Sequence, residues 1–375
     1  MTDPPCGSEY LRWAKTRTPA GFDLTSSGVP YLPLRDLPVT IDDLEISGTG
    51  AYGYPPLLRA IAARYRVDEA CVVAAMGTSM ANHLALAAIV HPGDQVLMEH
   101  PTYEPLIAVA HWLGAEVRHF GRRPEDGFRL DPAAVERGMT DRTRAIVITN
   151  LHNPSSALAD DDALRQVGEI AARAGAYVIV DEVYLDALWE SPPRTCVHLG
   201  DRFISTNSLT KVYGLNGLRC GWVLAEPALA ERMWRLTELF NNHGVYAAER
   251  LGLIALQNLD AITRRSRALL DANAAALNDF YRVHASFLDA APHVHGTVSF
   301  PRLRGGSVNE FCDLLMQGYD TAVVPGRFFG APDHLRIGLG VDPEVLRAGL
   351  DRLGRALNER ARRRLLPDLA PAQSS

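Results

Sequence analysis

From about residue 70 onward, short apolar runs alternate with longer amphipathic stretches. The runs are CVVAAM (71–76), DQVLMEH (94–100), AEVRHF (115–120), RAIVITN (144–150), AYVIVDE (176–182), RFISTNS (202–208) and LRCGWVLA (218–225), and helix-like segments such as 82–90 and 161–174 lie between several of them. Strands apolar on both faces and separated by helices build crossover units on a mostly parallel sheet covered on its two sides. A ligand on such a sheet lies beyond the carboxyl ends of the strands. Gly77-Thr78-Ser79, Asn153-Pro154, Asp181 and the segment Ser208 to Lys211 all fall there.

Beyond residue 226 the pattern turns helical, from about Pro227 to Leu288, interrupted only by scattered glycines. Strand-like GTVSFPRL (296–303), TAVVPG (321–326) and HLRIGLG (334–340) then alternate with helical segments. The expected organisation is α/β. An N-terminal segment, 1–45, contributes to a smaller domain, a large domain covers 46–240, and a linking helix with the C-terminal small domain covers 241–375.

Composition excludes several classes. The 375 residues are 47% apolar and 22% charged, ordinary for a globular chain and ample for a core. A net charge of −6 gives no field to attract nucleic acid or anionic lipid. The run Arg360 to Arg364 is local and is expected to be the solvated face of a last helix. The five cysteines, Cys6, Cys71, Cys196, Cys220 and Cys312, are odd in number, scattered and never spaced as C-x-x-C, which argues against a disulfide framework or a zinc cage. The first residues are acidic and proline-rich where a signal peptide needs a basic start and an apolar stretch, and no run approaches the roughly 20 apolar residues of a membrane span. A reducing, cytoplasmic setting is expected.

Lysine occurs twice, at Lys15 and Lys211, against 36 arginines. A position that keeps lysine in such a chain is a candidate for an amine that must lose its proton, which arginine cannot do. Lys15 lies in a polar segment and reads as drift. Lys211 lies in SLTKVYGLNGLRCGW (208–222), where a desolvated lysine could act as a Schiff-base nucleophile while Ser208 and Arg219 hold a phosphate. The segment AAMGTSMANHLAL (74–86) runs from a strand through small residues into a helix, which suits an ordinary N-cap or a phosphate on the helix dipole. Asp181 ends the apolar run AYVIV, either as a helix cap or as the partner of a protonated heterocycle. Asn153 in LHNPSSA precedes a proline-fixed turn. GTGAYG (48–53) satisfies G-x-G-x-x-G, with Asp68 and Glu69 downstream. The preceding IDDLEIS is a poor buried strand, so a glycine-rich loop before a helix starting near Pro55 is expected instead of a dinucleotide site. His293 and His295 alternate on one strand face but lack a third metal ligand.

Taken in order, SSGVP with Gly28, the GTS turn, HPTYEP, NLHNPSS, VDEVYLD, SLTKVYGLNGLRCGW and HLRIGLG resemble the class I/II aminotransferases, pyridoxal-phosphate (PLP) enzymes of the aspartate-aminotransferase fold, over roughly residues 25–345. The resemblance implies fold type I, the PLP-dependent transferase fold: a large domain with a mostly parallel seven-stranded sheet sandwiched by helices, plus a smaller α/β domain. It implies Lys211 as the Schiff-base lysine and proton shuttle, and Asp181 as the partner of the pyridinium nitrogen. Asn153 and Tyr184 match the pair that hydrogen-bonds the ring hydroxyl oxygen, and Tyr103 the aromatic that stacks on the ring. Thr78, Ser79, Ser208 and Arg219 match the phosphate cradle, and Tyr52 the tyrosine that reaches the phosphate of the neighbouring subunit. Arg336 matches the arginine that grips the substrate α-carboxylate, with Asn153 and the main chain of Gly28 as further substrate contacts.

Where many relatives have a Gly-Gly-x-Phe segment, this chain reads VHGTVSFPRL, with His295 before Gly296, so the resemblance leaves specificity open. The expected protein is a homodimeric enzyme with composite sites at its interface, with no metal, nucleic-acid or membrane partner. It moves an amino group from an L-amino acid to a 2-oxo acid in ping-pong half-reactions. A lyase, decarboxylase, cyclising synthase or oxidase on the same scaffold is the alternative. A ligand-sensing regulator would need a DNA-binding domain ahead of this region, and a nicotinamide dehydrogenase would need the fingerprint set aside above.

Overall fold

The computed structural model describes residues 7–48, 51–241 and 244–365. Cys6 and the Thr49-Gly50 part of the GTGAYG loop lie outside the described residues. Each of the seven apolar runs is a strand: β1 (Val72–Met76), β2 (Gln95–His100), β3 (Glu116–Gly121), β4 (Thr143–Thr149), β5 (Tyr177–Asp181), β6 (Phe203–Ser208) and β7 (Cys220–Leu224). They lie in the order β1-β7-β6-β5-β4-β2-β3. β7 runs antiparallel to both neighbours and the other pairs are parallel.

Alternate side chains of each central strand enter opposite cores, which explains why the runs read as continuously apolar. Val96, Met98, Val147, Ile179 and Ile204 pack under helices α2 (Gly77–Ile89) and α3 (Glu104–Trp112). Leu97, Ile146, Ile148, Val178 and Val180 pack on the other face under α4 (Asp161–Ala174). The α4 bounds follow from its ends. Asp160 caps the first turn through Ala163 N, and Gly175 closes the last in the left-handed region at φ +67°. The strand order reverses between β2 and β4, the switch point where α/β sheets open a crevice. The segments leaving β2 and β4 carry Tyr103 and Asn153, and Asp181 and Ser208 end the adjacent β5 and β6.

The C-terminal elements build a second core around α5 (Leu259–Val283), α6 (Val308–Tyr319), α7 (Pro343–Leu365) and a three-stranded antiparallel sheet. That sheet has β10 (Leu335–Gly338) between β8 (Val298–Ser299) and β9 (Val324–Pro325). The N-terminal segment joins it. Phe22 and Asp23 pair in parallel with Thr321 and Ala322, and Leu24 is fully buried with Leu277, Leu335 and Ile337. Ahead of it, α1 (Glu9–Thr16) starts at a Ser8 cap.

Four local expectations are corrected. The helical stretch after residue 226 is broken into Pro227–Thr237, Tyr246–Gln257 and α5. GTVSFPRL is two short strands, 298–299 and 302–303, separated by Pro301, which cannot donate to a ladder. His293 and His295 precede β8 instead of sharing a strand face, and buried His293 turns Nε2 to Gly296 O at 3.3 Å. Arg360 is not purely solvated: its guanidinium sits 5.9 Å from the Phe311 ring and donates to Gly305 O. IDDLEIS forms a 3-10 turn at Ile41–Leu44, and the next helix starts at Pro55 as read. Cys71, Cys196, Cys220 and Cys312 are free thiols. No helix among the described residues is long and apolar enough to cross a membrane.

Candidate active site

Helix α2 begins directly after β1 with no side-chain cap, so its first N–H groups face the crevice edge without an internal partner. Thr78 in that turn donates to Ser208 Oγ at 2.8 Å, joining the GTS turn to the end of β6. Arg219 reaches the same place from the loop before β7, donating to Met76 O and Asn216 O, each at 3.2 Å. Gly77 makes this approach possible: at φ +73°, a Cβ there would stand 2.2 Å from an Arg219 guanidinium nitrogen. Ser79 is exposed in the same turn, and beside Ser208 the buried Thr210 Oγ1 has no partner. Tyr52 stacks on Trp234 with centroids 5.5 Å apart, donates to Glu238, and lines the hollow next to Arg219.

Asp181, at the carboxyl end of β5, is buried. One oxygen accepts from Asn82 Nδ2 at 2.8 Å, the other from Val183 N at 3.1 Å. Asn82 Oδ1 in turn accepts from Thr206 Oγ1 at 2.6 Å, which fixes which end of the amide faces the carboxylate. Burial pushes the Asp181 carboxyl up to about 6, against these hydrogen bonds and the Lys211 charge. Sequence reasoning did not single out Asn82.

Lys211 opens onto the cleft, half-buried, and its Nζ donates to Ser27 Oγ at 3.0 Å. Burial, with the Arg336 and Arg219 charges, brings the amine down to about 8, while Asp181 opposes. Lys15, by contrast, is exposed in the last turn of α1. Gly28 runs against Lys211: Val29 N donates to Lys211 O at 2.9 Å, and a Cβ on Gly28 would lie 3.2 Å from the same oxygen.

Arg336 on β10 is fully buried yet has no carboxylate within 4 Å among the described residues. Its guanidinium donates to Asn153 Oδ1 (3.1 Å), Tyr10 OH (2.7 Å) and Thr25 O (3.3 Å), while Nε has no partner. The rings of Phe329 and Tyr10 lie 4.8 and 5.5 Å from it. Tyr10, from α1, meets Tyr103 edge-on at 5.8 Å and was also missed. Tyr184 is buried, and its phenol is pushed up to about 12 by burial, opposed by the Arg336 charge and by the neighbouring Ser27 hydroxyl. Asn153 is fixed from behind: its N–H donates to Thr149 Oγ1 (2.8 Å), whose hydroxyl donates to fully buried Glu99, itself paired with Arg122 at 2.8 Å.

These residues gather at the strand ends: an uncapped helix end with two hydroxyls and an arginine, a buried carboxylate, an amine, and a guanidinium with no carboxylate partner among the described residues. The Gly77 cradle, the orphaned Thr210 hydroxyl and the unpaired Arg336 are what an anionic heterocycle and a carboxylate substrate require.

Comparison with known proteins agrees. The family model "Aminotransferase class I and II" matches residues 41–353, and the chain belongs to that family. It is a pyridoxal-phosphate-dependent enzyme of fold type I. It is 30% identical over 357 residues to capreomycidine synthase of Streptomyces vinaceus, covering 92% of each chain. Among solved structures it is similar to a PLP-dependent aminotransferase from Streptococcus suis, with TM-score 0.87 and 26% identity over 95% of this chain and 98% of that one. It is also similar to the PLP-dependent cyclase OrfR, with TM-score 0.85 and 27% identity over 96% of this chain and all of the other.

Proposed function

We propose that the protein is an aminotransferase, carrying the amino group of an L-amino acid to a 2-oxo acid in two half-reactions at this crevice. The observation that carries the reading is the buried Arg336 guanidinium without a counter-ion, in the same crevice as an amine held near neutrality. In this reading Arg336 and Asn153 take the substrate α-carboxylate, and the Gly28 main chain lines the same end. Thr78, Ser79, Ser208 and Arg219 hold the cofactor phosphate, Asp181 its ring nitrogen, Asn153 and Tyr184 its ring oxygen, and Tyr103 its face. When bound, pyridoxal phosphate supplies an electron sink that makes the substrate Cα–H bond acidic. Lys211, about half neutral near pH 8, removes that Cα proton with Nζ and redelivers it. The Arg336 clamp fixes which Cα bond faces the amine.

We also propose the division 1–45, 46–240 and 241–375, a cytoplasmic homodimer, and Tyr52 reaching the partner's phosphate from the hollow beside Arg219. A second reading, a cyclising synthase, is favoured by the similarity to capreomycidine synthase and to OrfR. In that case the Nζ proton, once taken, leaves with or returns to a different atom of the substrate. A panel of amino acids, followed by the visible band and by mass spectrometry of products, tests the proposal. A 2-oxo acid plus aminated cofactor supports transamination, a cyclic or dehydrated amino acid with unchanged cofactor supports the second reading, and no change with any donor refutes both.

A further inference from the structure

The N-terminal segment brings to the reacting amine Ser27 of SSGVP, a motif read above only for its glycine. Ser27 is buried, with 8% exposure, between Lys211 and Tyr184. Its backbone is pinned, because Thr297 Oγ1 donates to Ser27 O at 2.8 Å and Val29 N donates to Lys211 O. A serine hydroxyl has one proton to give and two lone pairs to offer. Here its oxygen accepts from Lys211 Nζ at 3.0 Å, with the Tyr184 phenol as its other polar neighbour. The charged amine, which has only protons to give, must donate toward Ser27.

We infer that Ser27 is a positioning residue for Lys211, its hydroxyl holding the free ε-amine in one orientation. The inference deepens the reading of Lys211 as the reacting amine and rests on it. The contact exists without any ligand, and it matters in the part of the cycle when Nζ is unbound and must carry the Cα proton. A hydroxyl acceptor restrains one N–H of the amine and leaves its lone pair to point elsewhere, which is the arrangement a general base needs. The other groups whose charges act on Nζ are Asp181 from β5, Arg336 from β10 and Arg219 from the loop before β7; none of them hydrogen-bonds it.

Because the chain has only two lysines, labelling is unambiguous. Full-length protein freed of cofactor is treated with cyanate across pH 6–10, and carbamylation of Lys211 is followed by peptide mass spectrometry, with Lys15 as the exposed internal standard. Ser27 stabilises the charged amine by accepting from it, so Ser27→Ala should move the Lys211 midpoint down by about one pH unit while Lys15 does not move. In the loaded enzyme the same variant should lower kcat about tenfold and raise the isotope effect of an α-deuterated donor, with KM little changed. Ser27→Thr, which keeps the hydroxyl, should retain the parental midpoint. An unmoved midpoint in Ser27→Ala overturns the inference, as does a KM effect with kcat intact, which would make Ser27 a substrate contact. The labelling needs no cofactor chemistry, so it reads the Ser27–Lys211 contact even if borohydride mapping removes Lys211 from its proposed role.

Discussion

Replacing Arg336 by Met should separate substrate affinity from stability. The guanidinium is fully buried and its partners are one amide oxygen, one phenol and one carbonyl, none of them anionic. Leaving those three unpaired costs on the order of 1–3 kcal/mol each. Removing a buried charge with no counter-ion returns several kcal/mol of desolvation. The two nearly cancel, and a net change within about 3 kcal/mol corresponds to a melting shift under about 6 °C for a chain of this size. Substrate binding has no such compensation. Losing one partner of a buried charged pair costs about 2–5 kcal/mol, a thirtyfold to few-thousandfold loss of apparent donor affinity. Two assays check this together: donor titration of the cofactor's visible band, and melting with and without succinate as a simple carboxylate. Succinate at about a hundred times its Kd should stabilise the parent by about 2.7 kcal/mol and leave Arg336→Met unmoved. The reasoning fails if the variant melts much earlier yet titrates with parental affinity, for then Arg336 only braces α1 and β10.

Lys211→Arg keeps a positive charge but cannot lose it, so turnover should fall at least about a hundredfold; borohydride reduction and peptide mapping should find the cofactor on Lys211 in the parent and on no lysine in the variant. Asn82→Leu removes a hydrogen bond that holds Asp181 ionised, so the acid limb of kcat/KM should rise by about one pH unit; an unchanged pH profile would show that Asn82 only fills space. Glu182 is buried, accepts from Cys196 N and Ser205 Oγ, and is pushed up by burial to about 7 from 4.5. Between those values the folded state binds more protons than the unfolded state, so this group loses stability as pH rises through 7. Glu182→Gln should therefore gain melting temperature relative to the parent between pH 5 and 8; a constant difference would refute it.

The large-domain sheet was legible because its strands are buried on both faces. Val96 to Met98, Ala145 to Ile148 and Val178 to Val180 each read as unbroken apolar runs, and the intervening amphipathic stretches specify crossovers. The candidate site was legible where it hangs on strand ends, since Asp181 and Ser208 end their strands and Asn153 lies four residues beyond Thr149, the end of its own. The small domain was harder. Its strands are two to four residues long and end at Pro301 or Gly326, too short for a period to register. The helix end at Thr237 and the new start at Tyr246 were passed over although Asn241 and Gly244 lie between them.

What local pattern could not supply is proximity across the chain, and the unannounced parts of the crevice are all of that kind. Tyr10 meets Arg336 across 326 positions, Thr297 meets Ser27 across 270 and Lys211 meets Ser27 across 184. Each contact depends on the N-terminal segment running between the two cores, anchored by the Phe22–Thr321 pairing and by buried Leu24. That segment reaches the crevice beside Arg336 and Lys211, whereas Asp181, Asn153 and Ser208 come from the strand ends of the large domain. In the proposed reading, the residues that would hold the cofactor therefore follow the sheet and can be read from it, while Tyr10 and Ser27 come from a segment distant in sequence from the residues they touch and cannot be read from any local pattern.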